Sequence, residues 1–430
     1  MSRFVLQGAT FPDGSVKDVL VDEGVIREIG LGLSAEVVVD CKNLQLLPGF
    51  VDMHTHLREP GFEASETVLT GTQSAALGGF TAVHAMANTN PVADNAAVVE
   101  MIRNLGERAG YAEVFPIGAV TKGLEGKALA DLNLMHQSTA KVNVFSDDGK
   151  CVSDALLMRR ALEYTKSFGG VIAQHAQEPA LTQDAQMNEG ELSAVLGLKG
   201  WPAMAEEAII ARDVLLAEHT GGRLHVCHLS TAGSVAVIRW AKARGISVTA
   251  EVTPHHLLLT EQLVKDYNAV YKVNPPLRTE SDVMALREAL IDGTIDIIAT
   301  DHAPHPTEQK DCEWAAAAFG MVGLETAASI AQLVLIDSKR SNWQRLAEVL
   351  SHNPAEIAGD EGQGLTVEVG NPANLTLIDP NVSRIVNATS ASKSVNNPYA
   401  GLELPGSVVH TIYRGRFTVR DSSLVIGHSA

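Results

Sequence analysis

Between residues 44 and 301 the chain repeats one pattern: a short apolar run, a polar residue at its end, then a stretch of helical period. The first run spans 44–51, and later ones span 80–83, 114–117, 142–145, 171–173, 224–227, 248–252 and 295–299. They end near His56, Asn88, Thr121, Asp148, His175, His228, His256 and Asp301. Residues 205–218 and 235–243 are two of the intervening segments with helical spacing. Eight strands alternating with helices predict an α/β fold of the (β/α)8 TIM-barrel type rather than a doubly wound sheet. In such barrels the chemistry collects at the C-terminal strand ends, where these polar residues stand. No GxGxxG or P-loop motif competes with this reading.

The first ~45 residues and the last stretch read differently, as hairpin-like β structure. Apolar triplets at 4–6 and 19–21 are followed by Pro12-Asp13-Gly14 and Asp22-Glu23-Gly24; residues 375–378 and 408–413 are strand-like. Neither end can close a core alone, so the economical arrangement joins them in one small β-sandwich domain. The expected division is 1–48 and 363–430 for that domain and 49–362 for the barrel. A chain of 430 residues has room for both.

With 51 acidic against 33 basic residues the formal charge is −18, which argues against nucleic acid or an anionic membrane as partner. A small anionic substrate is unaffected, since local groups bind it. Four widely spaced cysteines without a CxxC are expected to be reduced thiols. The N-terminus lacks the apolar region of a signal peptide, and no stretch is long enough to span a bilayer, so the expected compartment is the cytoplasm.

The strand ends carry a metal-type residue set. His54 and His56 alternate on one strand and so face the same way. With Asp148, His175, His228 and Asp301 they make four imidazoles and two carboxylates at one rim, which suits one or two Zn²⁺ ions, two being favoured. A pair of ions needs an anionic bridge. Lys141, as a carbamylated lysine, stands at the start of its strand; Asp147 and Asp148 lie past its far end. Asp148 is the favoured bridge and Asp147 the alternative. Asp301 is placed to move a proton between water and a leaving nitrogen. Arg58 and Asn88 fit a substrate carboxylate; the plainer readings are a salt bridge of Arg58 to Glu59 or Glu66 and a turn at Asn88. His84 reads as barrel filling, Cys227 as a packed thiol turned away from the metals, and His255, His256 and His302 as core or supporting groups. Residues 306–318 suit a lid or a fixed connector equally.

These motifs resemble the cyclic amidohydrolases, and among them the class I dihydroorotases. The matching segments include 48–61, His-Leu-Arg-Glu-Pro-Gly at 56–61, Ser-Asp-Asp-Gly at 146–149, and 225–231. They continue with 251–256, Asn-Pro-Pro-Leu-Arg at 274–278, Asp-His-Ala-Pro at 301–304, and Phe319-Gly320. The resemblance implies reversible, zinc-dependent cyclisation of N-carbamoyl-L-aspartate to L-dihydroorotate and water in pyrimidine synthesis. It implies one zinc on His54, His56 and Asp148, another on Asp148, His175 and His228, and Asp301 as general acid/base. His56, Arg58, Asn88, Asn274, His305, Phe319 and Gly320 would contact substrate. A homo-oligomer is expected, and aspartate transcarbamoylase is a candidate partner. One departure is Ala87, where the family pattern has proline. The alternatives are a hydantoinase- or allantoinase-type enzyme, which would carry the bridging lysine within the fourth strand, and a catalytically silent assembly subunit, which would have lost metal ligands.

Overall fold

Eight parallel strands close into a barrel in the computed structural model, which describes residues 3–425. They are Phe50–Thr55, Phe80–Ala85, Glu113–Pro116, Val144–Phe145, Val171–Gln174, Arg223–Val226, Val248–Val252 and Ile297–Ile298. Strands one to three pair in order, and strands four to eight pair in order. Two single bridges make the seams: Gly118 with Phe145 joins the third strand to the fourth, and Thr55 with His302 joins the eighth to the first. The His56 N–H donates to the His302 carbonyl at 2.8 Å, so the metal-type residues of both ends meet at this second seam.

Most strands stop earlier than the sequence pattern implies. The second ends at Ala85, the third at Pro116 and the seventh at Val252. At the seventh the cause is local. Thr253 caps a short helix, Pro254–Leu258, its hydroxyl accepting from the His256 N–H, and proline at the first helical position favours that start. His255 and His256 are therefore helical. Longer helices follow the same logic. Asn95 caps Ala96–Ala109 by accepting from Ala97 and Val98, and Gly110, with φ of 72°, ends it. The helical segments read at 205–218 and 235–243 are Met204–Thr220 and Ala232–Ala243.

Both termini build one sheet. Its order runs Ser423–Leu424, Arg416–Arg420, Glu403–Tyr413, Leu375–Ile385, Gln45–Pro48, Phe4–Thr10, Val16–Asp22 and Val25–Gly30, with Val37–Asp40 also on Phe4–Thr10. The splice is the antiparallel pairing of Leu375 with Pro48 through Ile378 with Gln45. The sheet curls on itself. Phe4 and Phe417 lie on strands with three others between them, yet their ring centroids are 4.9 Å apart, in a core with Leu6, Leu46 and Ile412. Gly49 follows the splice directly. A Cβ there would lie 2.3 Å from Thr81 Oγ1, so only glycine lets the first barrel strand leave the sheet this close to the second.

His84 is buried in the barrel as expected, and its ring has polar partners. Its Nε2 lies 3.2 Å from Asp360 Oδ1 and its Nδ1 donates to the Asp52 carbonyl. Burial lowers its pKa, but the Asp360 charge and hydrogen bond more than reverse this. Lys141 lines a cavity of about 500 Å³ with His84 and Asp360. Lys141 precedes the fourth strand, so it stands at the end of the barrel opposite the metal-type residues.

Candidate metal centre and substrate pocket

His54, His56, Asp148, His175, His228 and Asp301 converge. Asp148 is the hub. Its Oδ1 lies 3.4 Å from His54 Nε2, 3.1 Å from His175 Nδ1 and 3.4 Å from His228 Nε2, and its Oδ2 lies 3.3 Å from His56 Nε2. Asp301 Oδ1 is 3.1 Å from His56 Nε2 and 3.5 Å from His54 Nε2. Asp147, its neighbour in sequence, turns away and accepts from the Val120 and Thr121 N–H groups and the Thr121 hydroxyl. Both aspartates lie beyond the end of the fourth strand, Val144–Phe145, and Asp148 stands in the turn that follows.

Outer hydrogen bonds fix which nitrogen of each ring faces inward. His54 Nδ1 donates to Glu251 Oε1 at 2.6 Å, His56 Nδ1 to Asn88 Oδ1 at 3.0 Å, and His175 Nε2 to Gln177 Oε1 at 2.8 Å. The opposite nitrogens point into the cluster, toward Asp148 and Asp301. His54 Nε2 is fully buried without a hydrogen-bond partner, and His175 Nδ1 faces His228 Nε2 across 2.8 Å. Two imidazole nitrogens at that separation, both beside one carboxylate oxygen, suit a shared cation rather than each other. Imidazoles oriented by outer acceptors are the usual setting of a metal-ligating histidine. Trios His54, His56, Asp148 and Asp148, His175, His228 are each grouped tightly enough to hold one ion.

The electrostatics agree. Burial raises the pKa of Asp148 and Asp301, but the His54 charge, with hydrogen bonds from the imidazoles, overcomes this. Asp148 is held well below the usual carboxylate range and Asp301 down to about 2. The same carboxylates pull His54 well above its ordinary value despite burial. The cluster calls for positive charge, and its donor set of nitrogen and oxygen is one that zinc takes.

Three residues of the site stand on strained backbone. Arg58, His228 and Asp301 have φ of 64°, 32° and 46°, a region that side chains other than glycine rarely adopt and that costs ~1–3 kcal/mol each. The turn at His228 corrects the expectation for Cys227. Cys227 and His225, two apart, both face Glu251, so the thiol lies with His54 and Glu251 inside the barrel. His228 reaches the metal side because its backbone turns, not because it alternates with Cys227.

The pocket beside the cluster holds the remaining predicted residues. Arg58 Nη2 lies 3.2 Å from His305 Nε2, and Arg58 Nε donates to the Pro304 carbonyl. The plainer alternative for Arg58, a salt bridge to Glu59 or Glu66, does not form. Glu59 accepts from the Val68 N–H, while Glu66 serves His302, Ser392 and Thr70. Among the described residues Arg58 has no carboxylate partner, and burial brings its pKa down to about 10. Asn88 Nδ2 also donates to the Asp148 carbonyl, so Asn88 ties the pocket to the cluster. Asn274 Nδ2 donates to Gln177 Oε1, and its buried Oδ1 has no partner. Phe319 O accepts from His305 Nε2 at 2.8 Å. Gly320 has φ of 146°, and a Cβ there would lie 2.8 Å from Ala303 O and 2.9 Å from His305 Cδ2.

Sequence reasoning assigned no role to Glu251, His225 or Gln177. Glu251 holds His54 and His225 and accepts from the His228 N–H. The available signal was an acidic residue inside the run Val248-Thr249-Ala250-Glu251-Val252. An inward charge in a barrel strand needs partners.

Fold and site together define a cyclic amidohydrolase. A family model described as dihydro-orotase-like matches residues 44–234. The chain is 63% identical to a dihydroorotase of Streptomyces coelicolor, over 99% of this chain and 100% of that one. It is 51% identical to a dihydroorotase of Mycobacterium tuberculosis with the same coverage. It belongs to the dihydroorotase family. The L-hydantoinase of Arthrobacter aurescens shares the fold, with a TM-score of 0.89 at 24% identity over 99% of this chain and 98% of that one.

Proposed function

We propose that this chain interconverts N-carbamoyl-L-aspartate and L-dihydroorotate plus water, at a zinc centre on the C-terminal rim of the barrel. The observation that carries the substrate is Arg58, a buried guanidinium without a carboxylate partner, beside the imidazole cluster. His54, His56 and Asp148 would hold one zinc, and Asp148, His175 and His228 a second. Zinc bound there supplies Lewis acidity, acidifying water and polarising a carbonyl oxygen.

The chain's own residues do the rest. Arg58 with His305 grips the substrate carboxylate, and Asn88 steadies His56 beside it. Asn274 offers its free Oδ1 to a ring N–H. In hydrolysis the amide C–N bond of the ring breaks, water's oxygen joins the carbonyl carbon, and Asp301 carries a proton from that water to the leaving nitrogen. In cyclisation Asp301 takes the proton from the ureido nitrogen as the C–N bond forms and gives it to the carboxylate oxygen, whose C–O bond breaks as water leaves.

The test is turnover by purified protein of known metal content. Dihydroorotate is expected to be hydrolysed, and hydantoin and allantoin left intact. A protein that hydrolyses hydantoin instead, or nothing at full zinc occupancy, would overturn the assignment.

Glu251 provides a second prediction. Glu251→Gln is expected to weaken zinc binding ~10–100-fold, the usual effect of losing an outer partner of a metal-bound histidine. Competition with a zinc-binding dye reads this directly, and unchanged affinity would deny Glu251 that role.

The division into 1–48 with 363–430 and 49–362 is proposed as the domain organisation. A cytoplasmic location is proposed on the four cysteines, all free in the structure. No helix among the described residues is long and apolar enough to cross a membrane. A homo-oligomer, with aspartate transcarbamoylase as partner, is proposed from the family.

A further inference from the structure

Two lysines that the reaction leaves unused bond the backbone of the 306–320 segment, Lys310 from within it and Lys272 from outside. Lys272 is 2% exposed and Lys310 9% exposed. Lys310 Nζ donates to the carbonyls of Lys272, Ala318 and Gly320 at 3.1, 2.8 and 3.0 Å. Lys272 Nζ donates to those of Trp314 and Ala315 at 2.6 and 3.2 Å, and sits 4.5 Å from the centre of the Phe319 ring. Neither lysine has a carboxylate partner among the described residues. Three acceptors around one nitrogen specify the ammonium form, since only that form has three protons to give.

Four of the five carbonyls belong to the segment that runs from His305 to Gly320. The Gly320 N–H donates in turn to the Lys272 carbonyl at 2.9 Å. The Gly320 carbonyl also receives Asn396, so both polar groups of Gly320 are engaged within the protein. Just before its last residue the segment carries Phe319, whose carbonyl orients His305 against Arg58. The lysines therefore reach the pocket through one short chain of contacts.

We propose that Lys310 and Lys272 are positioning residues that fasten the 306–320 segment over the pocket and thereby set how tightly substrate is held. This rests on the reading of Arg58 and His305 as the carboxylate grip. It also decides between the two sequence expectations for 306–318: the segment is a fastened connector whose closure depends on charge. Burial, then the Lys272 charge, brings the Lys310 pKa down to about 7, with Cys312 opposing. The titratable groups facing it are Lys272, Cys312 and His305. Lys310 carries its proton below that value and loses it above, so the fastening weakens as pH rises through neutrality.

The test compares wild-type and Lys310→Met holoenzyme. KM for dihydroorotate is expected to rise about ten-fold or more, the equivalent of losing hydrogen bonds from a charged donor, while kcat changes less than about three-fold. A Glu-specific protease is expected to cut after Glu308 or Glu313, both exposed, about ten-fold faster in the variant. The KM gap narrows as pH is raised from about 6 to about 9, because wild type then loses the same charge. A KM and cleavage rate within about two-fold of wild type, or a gap indifferent to pH, overturns the proposal. Should Lys310→Met fail to fold, wild type alone decides. Its cleavage, normalised to that of an unstructured peptide, must accelerate over the same pH range, and a flat rate overturns the proposal. Proteolysis needs no turnover, so an enzyme inactive on dihydroorotate would sink the functional reading without touching this result.

Discussion

Asp301→Asn is expected to lower kcat by ~10²–10⁴-fold, the range of a positioned proton carrier, while the protein keeps its zinc. The substitution is well matched to its site. Asp301 has φ of 46°, and asparagine is among the few residues that adopt this region readily. The side-chain carbonyl oxygen that replaces Oδ1 still faces His56 and His54 at the cluster's edge. What disappears is the ability to accept a proton from water and return it to nitrogen. Steady-state turnover and elemental analysis on one preparation separate the possibilities. Wild-type turnover would remove Asp301 from the reaction. Loss of zinc together with turnover would make it chiefly a holder of the ion.

Asp148→Ala is expected to empty the centre. Asp148 lies within 3.1–3.4 Å of a nitrogen on each of His54, His56, His175 and His228. No other carboxylate among the described residues contacts all four. Its removal should cost more zinc affinity than the ~10–100-fold of an outer-shell partner, and turnover should fall with occupancy. Equilibrium dialysis against zinc gives the stoichiometry. The paired control is Asp147→Ala, which strips three donors of their acceptor and should cost stability, ~1–3 kcal/mol for each buried group left unpaired, with zinc binding intact. An Asp148→Ala protein with full zinc and wild-type turnover would end the bridging assignment.

The barrel and the metal residues were legible because both are written locally. Each strand is a run of apolar residues, and the candidate metal residues stand at the ends of five of the eight, so listing strand ends brought most of the cluster together. Asp148 could be preferred to Lys141 for the same reason, since strand direction alone decides which end each occupies. What was hidden depends on contacts remote in sequence. Glu251 lies within a strand, and its partners His54 and His225 come from two others. Cys227 is the packed thiol expected, but its direction was misjudged because alternation presumes regular backbone, and the turn at His228 breaks it. Lys310 drew no reading of its own within 306–318. Its burial exists only once Lys272, Ala318 and Gly320 have gathered around it.

The pairing of Gln45–Pro48 with Leu375–Ile385 has a consequence for how the molecule comes into being. A ribosome delivers the amino-terminal strands first, and they must wait, with an open edge, until nearly all of the chain has emerged. The barrel lies wholly between the two and can form in the interval. The sheet can be sealed only once residues 375–378 have emerged, and sealing brings them against residues 45–48, directly before Gly49 and the first barrel strand.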